Sequence, residues 1–188
     1  LIPGRHTTGR HTLKGMTEEQ PYTVLKNYDG FELRHYPDYV LVQVDVTGDF
    51  MRAGNVAFGP LVSYISGNNV VGQKIAMTAP VLQETRGEET HTVSFVLPAG
   101  MTIADVPLPS NARVSTKHVA AHDAAVLKFG GGWNGDRFQE NGDILQKKVH
   151  EAGLTAVGNV YYARFDPPWK PWFLKRNEVL IALAPGQV

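Results

Sequence analysis

Cysteine is absent from this chain of 188 residues. Its absence excludes disulfide bonds, thiolate zinc sites, iron–sulfur clusters and a cysteine nucleophile. The sequence also has no apolar run near the roughly 18 residues that a membrane-spanning helix needs, and its first residues contain no hydrophobic stretch that could direct secretion. We therefore expect a cytoplasmic protein that does not insert into a membrane.

An excess of charge of either sign is also absent. Lysine plus arginine and aspartate plus glutamate balance at 18 each, so no global field attracts nucleic acid or an anionic membrane surface. The chain has no GxSxG, HExxH or phosphate-loop motif and no recognisable pair of nucleophile and base. These absences favour a binding protein over an enzyme, and they predict no nucleic-acid partner.

The chain begins with a segment that has no hydrophobic periodicity. Residues 1–15 read LIPGRHTTGRHTLKG, and Met16 follows them as a native first residue would. We expect this segment to be a disordered tail or an expression remnant. Hydrophobic residues make up 43% of the chain, which is enough to bury one substantial core, so residues 16–188 are predicted to form one domain.

Hydrophobic periodicity predicts both strands and helices. Asp29 and Gly30 lie between two alternating apolar runs, as the turn of a β-hairpin would. Apolar residues recur at helical spacing over residues 50–65, and a second helix is predicted over residues 134–152, with Asn134 as its N-cap. The stretch GQKIAMTAP at 72–80 alternates apolar and mixed residues, which predicts a central strand whose apolar face fills the interior.

The second half of the sequence repeats features of the first. The spacing Gly67-x4-Gly72 is matched by Gly153-x4-Gly158, and VSFVLP before Ala99 is matched by LIALAP near the C-terminus. We infer an α+β protein built from two similar halves, about 22–98 and 113–185, in the order strands, helix, strands. The proline-containing segment 99–112 is the predicted connector.

Four motifs in this order resemble the SOUL haem-binding protein family. They are FELRHY at 31–36, KIAMTAPV at 74–81, FGG at 129–131 and FDPPWKPWFLKRNEVLI at 165–181. The resemblance implies a distorted antiparallel β-barrel with a pseudo-twofold repeat and two flanking α-helices. It also implies non-covalent binding of haem or another tetrapyrrole in a shallow apolar cleft between the first helix and the loop before the last strand.

Haem binding needs an apolar slot, cations for the propionates and, in some proteins, an axial ligand to the iron. The aromatic loop offers large flat faces for the slot at Trp169, Trp172 and Phe173, although such residues could equally cover the open end of the barrel. The resemblance carries a propionate-facing cation over to Lys170. An exposed ion pair contributes only about 0–1 kcal/mol, so this lysine would orient the ligand more than hold it.

The remaining candidates for the cofactor site come from the first helix, from the motif at 31–36 and from scattered positions. The family resemblance points to basic residues along this helix, but the matching face carries Asn55, and Arg52 reaches the site only in a different register. His35 matches a histidine that the family resemblance suggests as an iron ligand. Its alternation with Phe31 and Leu33 fits a core-facing or edge histidine equally well. Weaker candidate iron ligands stand elsewhere in the chain: Met51, Met77, Tyr161 and Tyr162.

The predicted function is a reversible carrier, buffer or sensor of haem or a related tetrapyrrole. Two alternatives remain open at this point, a general binding module for flat hydrophobic molecules and an enzyme that modifies haem with the bound iron. Glu178 resembles in position a carboxylate that meets cationic ligands in related regulator domains. We favour a structural role for Glu178 and an acidic partner for Arg176. The group His118, His122 and Asp123 is interpreted as solvated surface, because four residues along a strand span about 13 Å.

Overall fold

The structure is a computed structural model that describes residues 17–187. The predicted tail at residues 1–15 therefore lies outside the described residues. The chain folds as the predicted α+β protein, with one large antiparallel sheet and two helices. Its elements are β1 Glu18–Glu19, β2 Thr23–Tyr28, β3 Phe31–Tyr36, β4 Tyr39–Thr47, α1 Phe50–Ile65, β5 Thr78–Ala79, β6 Val81–Thr85, β7 Thr90–Val96, β8 Val114–Val119, β9 His122–Gly130, α2 Gly135–Glu151, β10 Ala156–Arg164 and β11 Arg176–Leu183, with a 3-10 turn at Trp172–Leu174.

The main sheet has nine strands in the order β2-β3-β9-β11-β10-β6-β7-β4-β8, and every pairing within it is antiparallel. Among the described residues β2 and β8 each have one neighbour, so the sheet is not closed into the barrel that the family resemblance implied. β1 and β5 form a separate two-stranded parallel pair. β2 contains an irregularity in its pairing between Val24 and Lys26.

The two strands β10 and β6 pair at the middle of the sheet and separate it into two parts. β11, β9, β3 and β2 follow β10 on one side, and β7, β4 and β8 follow β6 on the other. Each half of the sheet carries one helix, since α1 packs on β4 and β7 while α2 packs on β9, β10 and β11. This arrangement is compatible with the predicted internal repeat, but the duplication of the halves 22–98 and 113–185 stays a prediction.

Both helices begin and end where the sequence pattern places them. α1 covers Phe50–Ile65, and its N-cap Asp49 accepts hydrogen bonds on the side-chain carboxylate from the backbone N–H groups of Met51 and Arg52. α2 covers Gly135–Glu151, and its N-cap is the predicted Asn134. Neither helix within the described residues is long and apolar enough to cross a membrane.

The core lies on both faces of the sheet. Under α1, small residues at Ala53 and Ala57 let the helix approach the valines of β4, and α2 buries Leu145 and Val149 against β9 and β11. A third cluster fills the face away from the helices, and strands of both halves contribute to it, among them Leu41, Leu82, Val126 and Leu180. The sheet is therefore covered on one face by helices and on the other by its own strands.

The prediction of a central strand at 72–80 is wrong for most of that stretch. Only Thr78 and Ala79 are in a strand, the short β5, which lies outside the main sheet. The Asn69 side chain bonds to both the N–H and the carbonyl of Gln73, and the Ile75 N–H bonds to the Ile65 carbonyl at the end of α1. These hydrogen bonds satisfy backbone groups of Gln73 and Ile75 in a loop conformation, so these groups do not pair with a neighbouring strand.

Candidate functional site

A shallow apolar cleft lies between α1 and the segment that follows β10. Its volume is about 180 Å³. The residues that line it come from α1, β6, the approach to α2 and the end of β10 with its loop: Gly54, Asn55, Phe58, Val81, Trp133, Arg164, Asp166 and Pro168. This is the place that the family resemblance indicated, at the first helix and the loop before the last strand.

Residues 165–175, here called the Pro-Trp loop, form one wall of the cleft. The Asp166 carboxylate organises the loop, because it accepts hydrogen bonds from the Arg176 backbone N–H and from the Lys170 ammonium. The predicted slot residues stand on the outside of this loop and are not turned inward. Their exposed fractions are 83% for Trp169, 64% for Trp172 and 65% for Phe173, which is unusual for side chains that each bury so much area when packed.

Burial raises the pKa of Asp166, but the hydrogen bonds from the Arg176 N–H and from Lys170 outweigh burial and leave it below its ordinary value. The ionised carboxylate therefore stabilises the fold above the pKa of the unfolded chain, and this contribution is lost as the pH falls through the folded-state pKa. We expect Asp166→Asn to be about 1–3 kcal/mol less stable at neutral pH. Its melting temperature should also fall less steeply than that of the wild type below about pH 4. Parallel melting curves for the two proteins across the whole pH range would contradict this assignment.

Arg164 lies at the floor of the cleft, and no carboxylate within residues 17–187 forms a salt bridge with it. The residue is only 7% exposed, and in the described part of the chain its one side-chain hydrogen bond runs from Nη2 to the Gln83 Oε1. Among the same residues its buried Nε has no partner. Burial lowers the pKa of the Arg164 guanidinium to about 10, so the group is still charged at neutral pH but is held in surroundings that disfavour the charge.

Aromatic rings surround this guanidinium. Its Cζ lies 5.2 Å from the ring centroids of Phe50 and Trp133, and 5.9 Å from that of Phe138. Ring faces attract a cation, but they accept no ordinary hydrogen bond. Gly54 makes room for the group, since a Cβ atom added there would lie 2.6 Å from the Arg164 Nη1.

The ring of Trp133 lies near two cations, the guanidinium of Arg164 and the ammonium of Lys175. Its Nε1–H is buried without a hydrogen-bond partner, and the Lys175 Nζ lies 4.2 Å from the centroid of its ring. Lys175 also donates to the Pro168 carbonyl at 3.1 Å. The cleft thus has mostly apolar walls that also carry the Asp166 carboxylate, and the charged Arg164 lies at its floor. Within residues 17–187 two of its buried N–H donors, Arg164 Nε and Trp133 Nε1, have no acceptor.

The structure places the predicted site residues at different distances from this cleft. Asn55 lines it. Lys170 stands beside it on the Pro-Trp loop, but its ammonium is already paired with Asp166. Arg52 is exposed on another face of α1, where it lines a separate hollow with Asp45 and other residues. Met51 is half-buried at the start of α1 and is not among the lining residues.

His35, the predicted iron ligand, lies on β3 and does not line the cleft. Its Nδ1 is 2.7 Å from the Asp123 Oδ1 on the neighbouring strand β9. His118 is bonded instead to Asp38, and the ring of His122 stacks on Tyr36. No group of three or more metal-binding side chains occurs among residues 17–187, so the histidines do not form a shared site there.

Glu178 has the structural role that we favoured. Its carboxylate is 1% exposed and accepts two hydrogen bonds from Arg34, from Nη1 and Nη2, each 2.9 Å long. Burial lowers the pKa of Arg34, but the hydrogen bonds to Glu178 outweigh it and hold that pKa above its usual value. Arg176 has an acidic partner as expected, because its Nη2 donates to the Glu19 Oε2 at 2.9 Å.

Comparison with known proteins decides the family. A model of the SOUL heme-binding protein family matches residues 17–182. The chain belongs to the SOUL haem-binding protein family. Heme-binding protein 2 of Homo sapiens is 30% identical over an alignment of 163 residues that covers 79% of each protein. Heme-binding protein 2 of Mus musculus is 29% identical with the same coverage.

Solved structures support the SOUL fold at lower sequence similarity. The C-terminal domain of EcmrR superposes with a TM-score of 0.63 at 12% identity, over 87% of this chain and 98% of that domain. A conserved protein from Listeria innocua superposes with a TM-score of 0.56 at 12% identity, over 82% of this chain and 92% of that protein. At these identities the likeness concerns the fold alone.

Arg164 and Trp133 are among the cleft residues of this SOUL domain that the sequence analysis did not identify. Arg164 immediately precedes the motif at 165–181, and Trp133 follows the FGG motif by one glycine. A signal for the arginine exists in the strand pattern, because it stands two residues after Tyr162 and therefore on the same face of β10. A lone cation on the covered face of a strand indicates either an ion pair or a site.

Proposed function

We propose that this protein binds haem or a related tetrapyrrole reversibly and without a covalent bond, in the cleft between α1 and the Pro-Trp loop. The observation that carries the proposal is a cluster of exposed aromatic residues beside an apolar recess. Trp169, Trp172 and Phe173 are each more than 60% exposed, while Phe58 and Trp133 line the recess. Exposed aromatic patches of this kind mark binding surfaces.

The dimensions of the cleft favour a carrier. At about 180 Å³ it is smaller than the sites of roughly 300–1,000 Å³ that enclose drug-sized ligands. A macrocycle would therefore stay partly exposed and would leave without a large opening of the protein. The buried Arg164 Nε and Trp133 Nε1 donors lack acceptors, which suits a ligand with propionates. When bound, the iron of haem supplies redox and ligand-binding chemistry.

A second candidate function is a binding module for flat hydrophobic molecules in general, for which iron is irrelevant. This alternative is favoured by the composition of the cleft, since none of its described lining residues is a histidine, tyrosine, methionine or cysteine. These four residue types are the usual axial ligands of haem iron. Binding in the cleft would then depend on the ring system and its substituents.

Absorbance titration tests both candidates. We expect hemin to bind with saturation and a Soret shift, and metal-free protoporphyrin IX to bind with an affinity within about threefold, because the cleft offers no axial ligand. His35→Ala should bind hemin like the wild type. The absence of saturable binding of either porphyrin would refute the tetrapyrrole proposal. A much tighter binding of hemin that is lost in His35→Ala would instead support iron ligation by that histidine.

A matched pair of variants locates the site. Phe58 lines the cleft at 46% exposure, and Leu108 is an exposed apolar residue, 69%, on the connector after β7. Phe58→Ala should weaken porphyrin binding several-fold, since aromatic contacts contribute about 0.5–1.5 kcal/mol beyond their area. Leu108→Ala should leave binding unchanged.

A further inference from the structure

We propose that the cleft selects ligands that carry a carboxylate, and that Arg164 and Trp133 together bind this group. The inference rests on the proposed function for the location of the ligand, but it concerns a different property, the chemical group that the floor of the cleft recognises. It assigns the role of anion anchor to a buried arginine that the strand β10 holds in place, and not to the exposed cation of the Pro-Trp loop.

The first observation is the unpaired charge of Arg164. Among the described residues no carboxylate forms a salt bridge with it, whereas the other buried guanidinium, that of Arg34, pairs with Glu178. A buried guanidinium without a counter-ion is disfavoured by several kcal/mol. The chain nevertheless keeps it beside a cavity, with Gly54 leaving space for it. An anion that enters the cleft would supply the missing partner.

The second observation is independent of charge. Trp133 lines the same cleft, its ring lies 5.2 Å from the Arg164 Cζ, and its Nε1–H also lacks an acceptor. Buried donors without partners are rare in folded proteins. A carboxylate has four lone-pair positions and can accept from more than one donor. A neutral hydroxyl or ester offers weaker acceptors and no charge.

The other cations near the cleft are less suited to this role. Lys170 already pairs with Asp166, and a new anion would have to compete with that carboxylate. Lys175 donates to the Pro168 carbonyl and faces the ring of Trp133 from 4.2 Å. It adds positive potential near the floor of the cleft, but Lys175 is only a half-buried residue, so its charge is screened more than that of Arg164.

The test uses two fluorescent probes that differ in one group, 1-pyrenebutyrate and 1-pyrenebutanol. We expect the wild type to bind the acid at least about tenfold more tightly than the alcohol, because hydrogen bonds to charged groups contribute about 1.5–3 kcal/mol. Arg164→Met should abolish this preference, and Trp133→Phe, which keeps an aromatic ring without the donor, should reduce it. Lys147→Gln is the control and should keep it, because Lys147 is an exposed lysine of α2 that does not line the cleft.

A measurement on the apo protein separates binding from folding. A purely structural arginine predicts a lower melting temperature for Arg164→Met, whereas an arginine kept for a ligand predicts a temperature equal to or above that of the wild type. If this variant does not fold, the side-chain Nε–H resonance of Arg164 in the wild type decides, since it should move on addition of the acid and not of the alcohol.

The proposal is overturned if the wild type binds both pyrene probes equally or binds neither. It is also overturned if the preference for the acid survives in Arg164→Met. The porphyrin titration gives a separate answer. Porphyrin binding without a preference for the acid probe rejects the anchor and leaves the proposed function standing, and a preference for the acid probe without porphyrin binding does the reverse.

Discussion

Glu178→Ala is expected to destabilise the protein by about 3–5 kcal/mol. The substitution leaves the guanidinium of Arg34, which is 0% exposed, without the two hydrogen bonds that Glu178 accepts. Arg34 also donates to the Glu32 carboxylate from Nε and to the Tyr36 hydroxyl from Nη1, so the loss unsettles a network that joins β3 to β11. Against a typical total of 5–15 kcal/mol, this is a large fraction of the stability.

Urea denaturation at neutral pH measures this loss. Glu19→Ala is the control, because Glu19 also pairs with an arginine, Arg176, but on the surface. An exposed pair contributes about 0–1 kcal/mol, so the control should unfold close to the wild type. The double variant Arg34→Met, Glu178→Leu removes both charges and should recover much of the stability. Equal effects of Glu178→Ala and Glu19→Ala would contradict the importance of the buried pair.

Phe138→Ala is expected to cost about 3–5 kcal/mol of stability. Phe138 is fully buried on α2, and its ring centroid lies 5.2 Å from that of Phe50 at the start of α1. It also meets Phe129 and Tyr162 edge to face, each at 5.1 Å. The ring therefore joins both helices to strands β9 and β10, and its removal leaves a cavity that the rigid sheet cannot fill.

Thermal and urea unfolding of Phe138→Ala are to be compared with Ile144→Ala. Ile144 belongs to the same helix and is 45% exposed, so its truncation should change the stability by less than about 1 kcal/mol. A loss for Phe138→Ala no larger than that of the control would show that the aromatic cluster can close around the gap.

The helices and the first hairpin were predictable because their signals are local. α1 covers Phe50–Ile65, as the apolar spacing predicted, and Asn134 caps α2. Gly30 has a φ of 85°, which glycine adopts without strain in the turn between β2 and β3. The apolar spacing of a helix and the residues of a tight turn depend on a few neighbouring positions, and contacts with distant parts of the chain did not change these elements.

The stretch 72–77 was mispredicted because alternation is not enough to make a strand. Ile75 and Met77 do face the core under α1, so the pattern correctly identified buried side chains. The backbone, however, is bonded to the Asn69 side chain and to the end of α1. Closure of the sheet could not be predicted from the sequence either, because it depends on whether the two edge strands lie close enough to pair.

The site was only half accessible to sequence reasoning. The Pro-Trp loop was found from its composition and its indoles are exposed, but their contact with a ligand stays a prediction. Arg164 was missed because nothing in the sequence tells an arginine with an acidic partner from one without. Arg34 and Arg164 both stand on strands, but among the described residues only Arg34 forms salt bridges, one with Glu32 two positions away and one with Glu178 144 positions away. That difference exists only in three dimensions.

The two edge strands of the sheet, β2 and β8, could pair with a strand of another copy. β2 and β8 each present a row of backbone groups that a strand from another copy could extend, as happens in edge-to-edge aggregation. The irregular pairing at Val24 and Lys26 bends the β2 margin, and Lys117 puts a positive charge on β8. Bulges and lysines of this kind are the usual protection of exposed edge strands against pairing with another copy.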